Sequence, residues 1–233
     1  MIQSTPVILI PALACTPQMY AEQIPALWQF GPVTIADHRK HETISEIARS
    51  ILENAPPRFA LAGLSMGGYI AFEILRKAPE RVTKLALIST TARPDTPEQT
   101  KNRTDQIAIA QAGGYSKLIR ATMPALLHHA NDTGLCNQLF KMAEEVGAET
   151  YIRQLRAIMS RQDSRPLLES IRCPTWVISG SNDKQTPPDR LQEIAKGIAG
   201  SRYIELSECG HAATLDQPEL VTKAMVEWMR NGR

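Results

Sequence analysis

Short apolar runs rich in β-branched residues recur along the chain, and amphipathic stretches separate them. Val7 to Ile10 is the first run, closed by Pro11; Pro32 to Ala36, Phe59 to Leu64, Val82 to Ser89, Thr175 to Ser179 and Ser201 to Leu206 follow. Continuous apolar runs of this length predict strands buried on both faces. Between them the period changes to three or four. Thr16-Pro17 predicts a helix start that runs to about Leu27, with Thr16 as N-cap. Ile44, Ile47, Ala48, Ile51 and Leu52 mark an amphipathic helix that Pro56-Pro57 stops. Tyr69, Phe72, Leu75 and Arg76 mark another, ended at Pro79. Residues 7 to 89 therefore alternate strand and helix, the rhythm of a mostly parallel sheet with helices on both faces.

Residues 90 to 165 break that rhythm. No strand pattern appears there, and helical patterns cover Arg103 to Ala112, Tyr115 to Met123, Thr133 to Val146 and Ala148 to Arg161, with Gly113-Gly114 as a break. The expected organisation is an α/β core of residues 1–89 and 166–233, with a helical cap inserted at 90–165. Most apolar residues of the cap, such as Met142 and Phe140, belong to its own core, and a few face a pocket over the main domain. The alternation resumes after Ile171, with helices over Pro188 to Ile198 and from Asp216-Gln217-Pro218-Glu219 onward.

The chain has 233 residues and a formal net charge of +2. That balance points to neither nucleic acid nor an acidic membrane surface as partner. Cys15, Cys136, Cys173 and Cys209 form no C-x-x-C pair and read as thiols of a reducing, cytoplasmic compartment. The first residues carry no basic segment of the kind that opens a leader, and no apolar window reaches the ~18 residues of a membrane span.

The chemistry lies at strand ends. Gly63-Leu64-Ser65-Met66-Gly67-Gly68 sets a serine at an abrupt strand-to-helix junction with glycines on both sides, the sequence form of a nucleophile elbow. By itself the string also describes a serine N-cap in any glycine-rich turn. Asp183 follows the strand at Thr175 to Ser179, and His211 follows the one at Ser201 to Leu206. The C-terminal ends of strands are where an open α/β sheet places its ligands. A serine hydroxyl needs a base to take its proton, and the base needs a carboxylate to fix its tautomer. Ser65, His211 and Asp183 fill those roles, with Asp95 and Asp163 as alternatives for the acid. Met66, after the serine, supplies one backbone N–H for a developing oxyanion. The loop after the first strand supplies the other, from Leu13, or from Ala12 as alternative. His128 and His129 lie in the cap, where one could contact substrate. Asp37, His38 and His41 are close in sequence, but as a polar, solvated loop rather than a metal site.

The order Ser, Asp, His and the three motifs around Ser65, Gly180-Ser181-Asn182-Asp183 and Cys209-Gly210-His211 resemble the α/β-hydrolase fold superfamily, in its small esterase, lactonase and acyl-hydrolase branch. Pro11-Ala12 stands where many relatives have His-Gly. The chain enters its first strand at Val7 without a preceding hairpin, so about six strands are expected. The resemblance implies a serine hydrolase acting on a small or medium ester, thioester or lactone through an acyl-serine, with no cofactor. Acyl transfer, cofactor-free lyase chemistry and a non-catalytic binding role on the same scaffold are the alternatives. Monomer and homodimer are both open.

Overall fold

A computed structural model describes residues 4–231. The outer limits of the expected core, residues 1–3 and 232–233, lie outside the described residues, as does the start of the segment read for a leader. Six strands form one sheet: β1 (Val7–Ile10), β2 (Val33–Ile35), β3 (Phe59–Leu64), β4 (Val82–Ile88), β5 (Thr175–Gly180) and β6 (Arg202–Leu206). Their order is β2-β1-β3-β4-β5-β6, and every neighbouring pair is parallel. β1, β3 and β5 are buried along their whole length, whereas the edge strands β2 and β6 are largely half-buried or exposed. Continuous burial is why the central strands carry apolar residues on both faces.

The strand order reverses between β1 and β3. The chain steps from β1 outward to β2, then crosses back over β1 to start β3 and proceeds the other way. Connections on the two sides leave in opposite directions, which opens a crevice at the carboxyl ends of β1 and β3. The loop at Pro11 and the turn at Ser65 both sit there.

Helices cover both faces. In chain order they are α1 (Ile24–Leu27), α2 (Ile44–Asn54), α3 (Met66–Lys77), α4 (Pro97–Ile109), α5 (Tyr115–Thr122), α6 (Thr133–Val146), α7 (Ala148–Met159), α8 (Arg165–Leu168), α9 (Pro188–Gly197), α10 (Ala213–Asp216) and α11 (Pro218–Arg230). One core cluster packs Ile47 and Ile51 of α2, Ile70 and Phe72 of α3, and Leu191 and Ile194 of α9 against Ile8, Leu61 and Leu85. The other packs α11, with Val221 and Trp228, and the insertion residues Leu139, Met142 and Leu155 against Leu9, Ala62 and Ile88. Each such aliphatic or aromatic side chain, fully buried, contributes roughly 1.5–3 kcal/mol. α2 starts on a reciprocal cap: Thr43 Oγ1 accepts the Glu46 N–H at 3.2 Å and donates to its carboxylate at 2.9 Å. Among the described residues no strand falls between β4 and β5; that stretch is the helical insertion.

Three local expectations are corrected. Residues 16 to 30 do not form one helix: a 3₁₀ turn at Pro17–Tyr20, the four-residue α1 and a second 3₁₀ turn at Trp28–Phe30 replace it. Pro25 sits inside the segment, cannot donate to a preceding carbonyl, and disfavours helical geometry at Ile24. Thr16 makes no cap bond, and its hydroxyl is buried without a partner among the described residues. The loop after β2 is not wholly solvated, because His38 is buried and its Nε2 donates to the Ala12 carbonyl at 3.0 Å. β1 and β2 are adjacent and parallel, so their following loops leave side by side, and a buried carbonyl there needs a donor. Gly113, at φ 83°, does interrupt the helix pattern, but as a kink inside one wide π-type turn that joins α4 to α5.

Candidate active site

Ser65 follows β3 and stands at the N-cap position of α3 with φ 54° and ψ −112°, a conformation costly for any residue with a Cβ. Neighbours hold it there. The Ser65 N–H donates to the Ile88 carbonyl at 2.9 Å, and its own carbonyl accepts Thr90 Oγ1–H at 2.8 Å. The start of α3 lies so close to β1 that a Cβ at Gly67 would collide with the Ile10 carbonyl.

His211 Nε2 lies 2.7 Å from Ser65 Oγ, and its Nδ1 lies 2.8 Å from Asp183 Oδ2. A carboxylate only accepts, so Nδ1 carries the proton and Nε2 is left to accept from the serine hydroxyl. The loops that carry Asp183 and His211 touch. The Asn182 N–H donates to the Cys209 carbonyl at 2.8 Å, and a Cβ at Gly180 would strike the Cys209 and Gly210 carbonyls. Asp183 is buried and accepts N–H groups from Gln185 (2.8 Å) and Thr186 (2.9 Å) and the Thr186 hydroxyl (2.7 Å). Burial alone would raise its pKa. The opposing charge and hydrogen bond of the imidazole, with the Thr186 donors, outweigh it and hold the carboxyl below its ordinary range.

The turn after β1 is pinned from three sides. The Ala12 carbonyl accepts His38 Nε2 and the Cys15 N–H, and the Ala14 N–H donates to Gln154 Oε1 of α7 at 3.0 Å. Burial pushes the pKa of His38 down, only partly opposed by that carbonyl and by Asp37, so it stays a neutral donor. Between the two anchors, the Leu13 N–H has no hydrogen-bond partner among the described residues. Met66, first residue of α3, has no helical acceptor for its N–H either. Leu13, Ser65 and His211 line one cavity of about 160 Å³, which Ile119, Met123, Leu126 and Tyr151 of the insertion close from above.

The other candidates lie elsewhere. Asp95 is locked between Arg103 and Arg161, and Asp163 pairs with Arg165 at the surface. The His128 and His129 rings meet edge-on with centres 4.2 Å apart and do not line the cavity. Asp37, His38 and His41 make no ligand set; among the described residues no group of three such side chains could hold a metal ion. All four cysteines are free, and burial pushes Cys15 and Cys209 up to about 12, which removes them as rival nucleophiles. No helix among the described residues is long and apolar enough to cross a membrane.

Several supporting residues carry little mark in the sequence. Thr186 is the exception: a hydroxyl three residues past a turn aspartate is a local capping pattern. Asp216 accepts the Gly210 N–H at 2.7 Å and the His128 N–H at 3.0 Å, tying the histidine loop to the insertion. Gln154 and His38 act across long sequence separations and have no local signature.

Known proteins resemble this chain in sequence and fold. A curated relative, the pimeloyl-[acyl-carrier protein] methyl ester esterase of Neisseria meningitidis, is 23% identical over 221 residues, covering 90% of this chain and 86% of its own. The solved structure of a thermophilic esterase from Thermogutta terrifontis superposes with a TM-score of 0.88 at 27% identity, over 98% of this chain and 90% of that one. The enol-lactonase of Burkholderia xenovorans gives a TM-score of 0.89 at 25% identity, over 98% and 92%. The sequence signature of the alpha/beta hydrolase family matches residues 20–224, so the chain belongs to that family.

Proposed function

We propose that the protein is a serine hydrolase that cleaves small or medium carboxylic esters, thioesters or lactones through an acyl-serine. The observation that carries this is the hydrogen-bonded row Asp183–His211–Ser65, at 2.8 and 2.7 Å, at the wall of a partly open pocket of about 160 Å³. An engineered cavity of about 150 Å³ accepts benzene, so a pocket of this volume has room for a short acyl group, with its open side left for the leaving group. The esterase and lactonase relatives support the same substrate range.

In the proposed reaction Ser65 Oγ attacks the carbonyl carbon while its proton passes to His211 Nε2. Asp183 stabilises the imidazolium and keeps the ring oriented. The oxyanion accepts hydrogen bonds from the Met66 and Leu13 N–H groups. The bond to the leaving group breaks, and the leaving group takes the proton from His211. Water then attacks the acyl-serine, giving one proton to His211. Collapse of this second tetrahedral species returns that proton to Ser65 and releases the acid. We treat residues 90–165 as a cap whose inner side shapes the acyl site, and the four unpaired thiols favour a cytoplasmic location.

A fluorophosphonate probe tests the reading, together with p-nitrophenyl esters of increasing acyl length on wild type and Ser65→Ala. Labelling of Ser65, with ester hydrolysis that disappears in the variant, is expected. An unlabelled Ser65 with no ester turnover would leave a binding protein on a hydrolase scaffold.

A further inference from the structure

Two guanidinium groups, Arg103 of α4 and Arg161 after α7, line the same cavity as Ser65 and His211, and no carboxylate does. Their shared partner, Asp95, sits behind them with its side chain 4% exposed. Arg103 Nε donates to Asp95 Oδ2 at 2.8 Å and its Nη2 to Oδ1 at 3.3 Å; Arg161 Nη1 reaches Oδ1 at 2.8 Å. Arg161 is fixed further. Its Nε donates to the Arg93 carbonyl and its Nη1 to the Ile158 carbonyl, both at 3.1 Å, and its guanidinium carbon lies 4.3 Å from the centre of the Tyr69 ring.

One carboxylate against two guanidiniums leaves a single positive charge at the cavity wall. Arg103 Nη1 and Arg161 Nη2 make no hydrogen bond among the described residues; the Arg103 side chain is 19% exposed, whereas Arg161, at 5%, is nearly buried and also borders a second cleft that contains Glu73. Tyr69, under Arg161, also lines the cavity and follows Ser65 by about one helical turn, about 6 Å along α3. Each arginine thus keeps a single free Nη, and both line the cavity that Ser65 and His211 line.

We infer that the cavity binds an ester or lactone whose acyl part carries a second, free carboxylate, with that carboxylate on Arg103 and Arg161 and the reacting carbonyl over Ser65. One free Nη from each guanidinium can meet one oxygen of a carboxylate in a charge-assisted hydrogen bond, and one unbalanced positive charge matches a monoanion. Gln99 and Gln106 of α4 add polar lining on the same side, where a purely aliphatic acyl chain would gain little. This inference rests on the acyl-serine reading for its turnover measurements but not for its binding measurement.

The test compares kcat/KM for monomethyl succinate, glutarate and adipate with that for neutral methyl esters of matched chain length. At least one half-ester is expected to be favoured by about tenfold or more, as a charge-assisted contact allows, and the ratio should fall with added salt. In Arg103→Gln the ratio should collapse toward one, and Arg103→Lys should restore part of it. A wild-type ratio at or below one for all three half-esters, or a ratio that Arg103→Gln leaves unchanged, would overturn the inference. Calorimetry of glutarate against 1,5-pentanediol on Ser65→Ala separates it from the hydrolase reading. Glutarate binding without turnover of any ester keeps the anion site and removes the reaction. Turnover of neutral esters with no glutarate binding does the reverse.

Discussion

Gln154 Oε1 accepts the Ala14 N–H at 3.0 Å, joining a helix of the insertion to the loop after the first strand across 140 residues of sequence. Gln154 is fully buried, and Ala14 sits at φ 57°. The bond therefore sets the path of the turn that presents the Leu13 N–H. Replacing Gln154 with Leu leaves the buried Ala14 N–H unsatisfied, at a cost of about 1–3 kcal/mol in stability, offset in part because it also removes Gln154 Nε2, which is buried without a partner among the described residues. With Leu13 as the proposed second oxyanion donor, met only in the transition state, the loss should show in kcat, which is expected to fall roughly tenfold to a hundredfold with KM changed less. Steady-state kinetics on the folded variant checks this. A change confined to KM would remove Gln154 from the positioning of Leu13.

The backbone at Ser65 gives a prediction with opposite signs for activity and stability. At φ 54° and ψ −112° a Cβ costs about 1–3 kcal/mol, and glycine gives back about 0.5–1 kcal/mol through its freer unfolded state. Ser65→Gly is expected to be about 1 kcal/mol more stable than Ser65→Ala, while both lose more than about a thousandfold in activity. Urea denaturation of the pair measures the difference. If the alanine variant were the more stable, the elbow would store no strain.

Much of this architecture is legible from local pattern. Val7–Ile10 and Val82–Ile88 announce buried strands because central parallel strands have no polar face to show. Ser65 stands out because only an abrupt strand-to-helix turn calls for Gly63, Gly67 and Gly68 around one serine. What stays hidden is set by tertiary contact. His38 looks like one more solvated polar residue after β2 until the neighbouring loop supplies the Ala12 carbonyl. Arg103 opens the helical pattern Arg103 to Ala112, which carries no mark of a site; the helix in fact starts at Pro97, and only the fold turns Arg103 toward Asp95 and the cavity. Thr16 misleads in the other direction: a helical turn does begin after it, but that turn ends at Tyr20 and the Thr16 hydroxyl makes no cap bond.

The acid of the site makes a pH prediction. The Asp183 carboxyl titrates below its ordinary value of 3.8, since the imidazole and Thr186 outweigh burial. A folded pKa below the unfolded one means its stabilisation is complete above the unfolded value and is lost as pH falls through the folded one. Thr186→Val removes the hydroxyl at 2.7 Å, so the folded pKa rises. At pH 7 the variant should lose about 1.5–3 kcal/mol, the worth of a hydrogen bond to a charged acceptor. That deficit should shrink once acid protonates the carboxyl in both proteins, and any acid limb of kcat set by Asp183 should move upward. Denaturation curves from pH 7 down to the acid transition, with a pH–rate profile, test it. A deficit that is constant with pH would mean the hydroxyl acts through packing alone.

Asp95 and Asp163, the two aspartates that compete with Asp183 in the sequence, should differ sharply from each other. Asp95 is 4% exposed and answers Arg161, itself 5% exposed, and Arg103. Its removal strands a guanidinium that the Ile158 and Arg93 carbonyls alone cannot neutralise, so Asp95→Ala should cost about 3–5 kcal/mol. Asp163 pairs with Arg165, whose side chain is 47% exposed, and Asp163→Ala should cost less than about 1 kcal/mol. Urea midpoints at one pH compare the two. Because Asp95 also sets the charge left facing the cavity, Asp95→Asn should increase the affinity of Ser65→Ala for glutarate if the fold survives. Equal stability losses in the two alanine variants would mean that the buried pair is solvated in a way its position behind Arg103 does not provide.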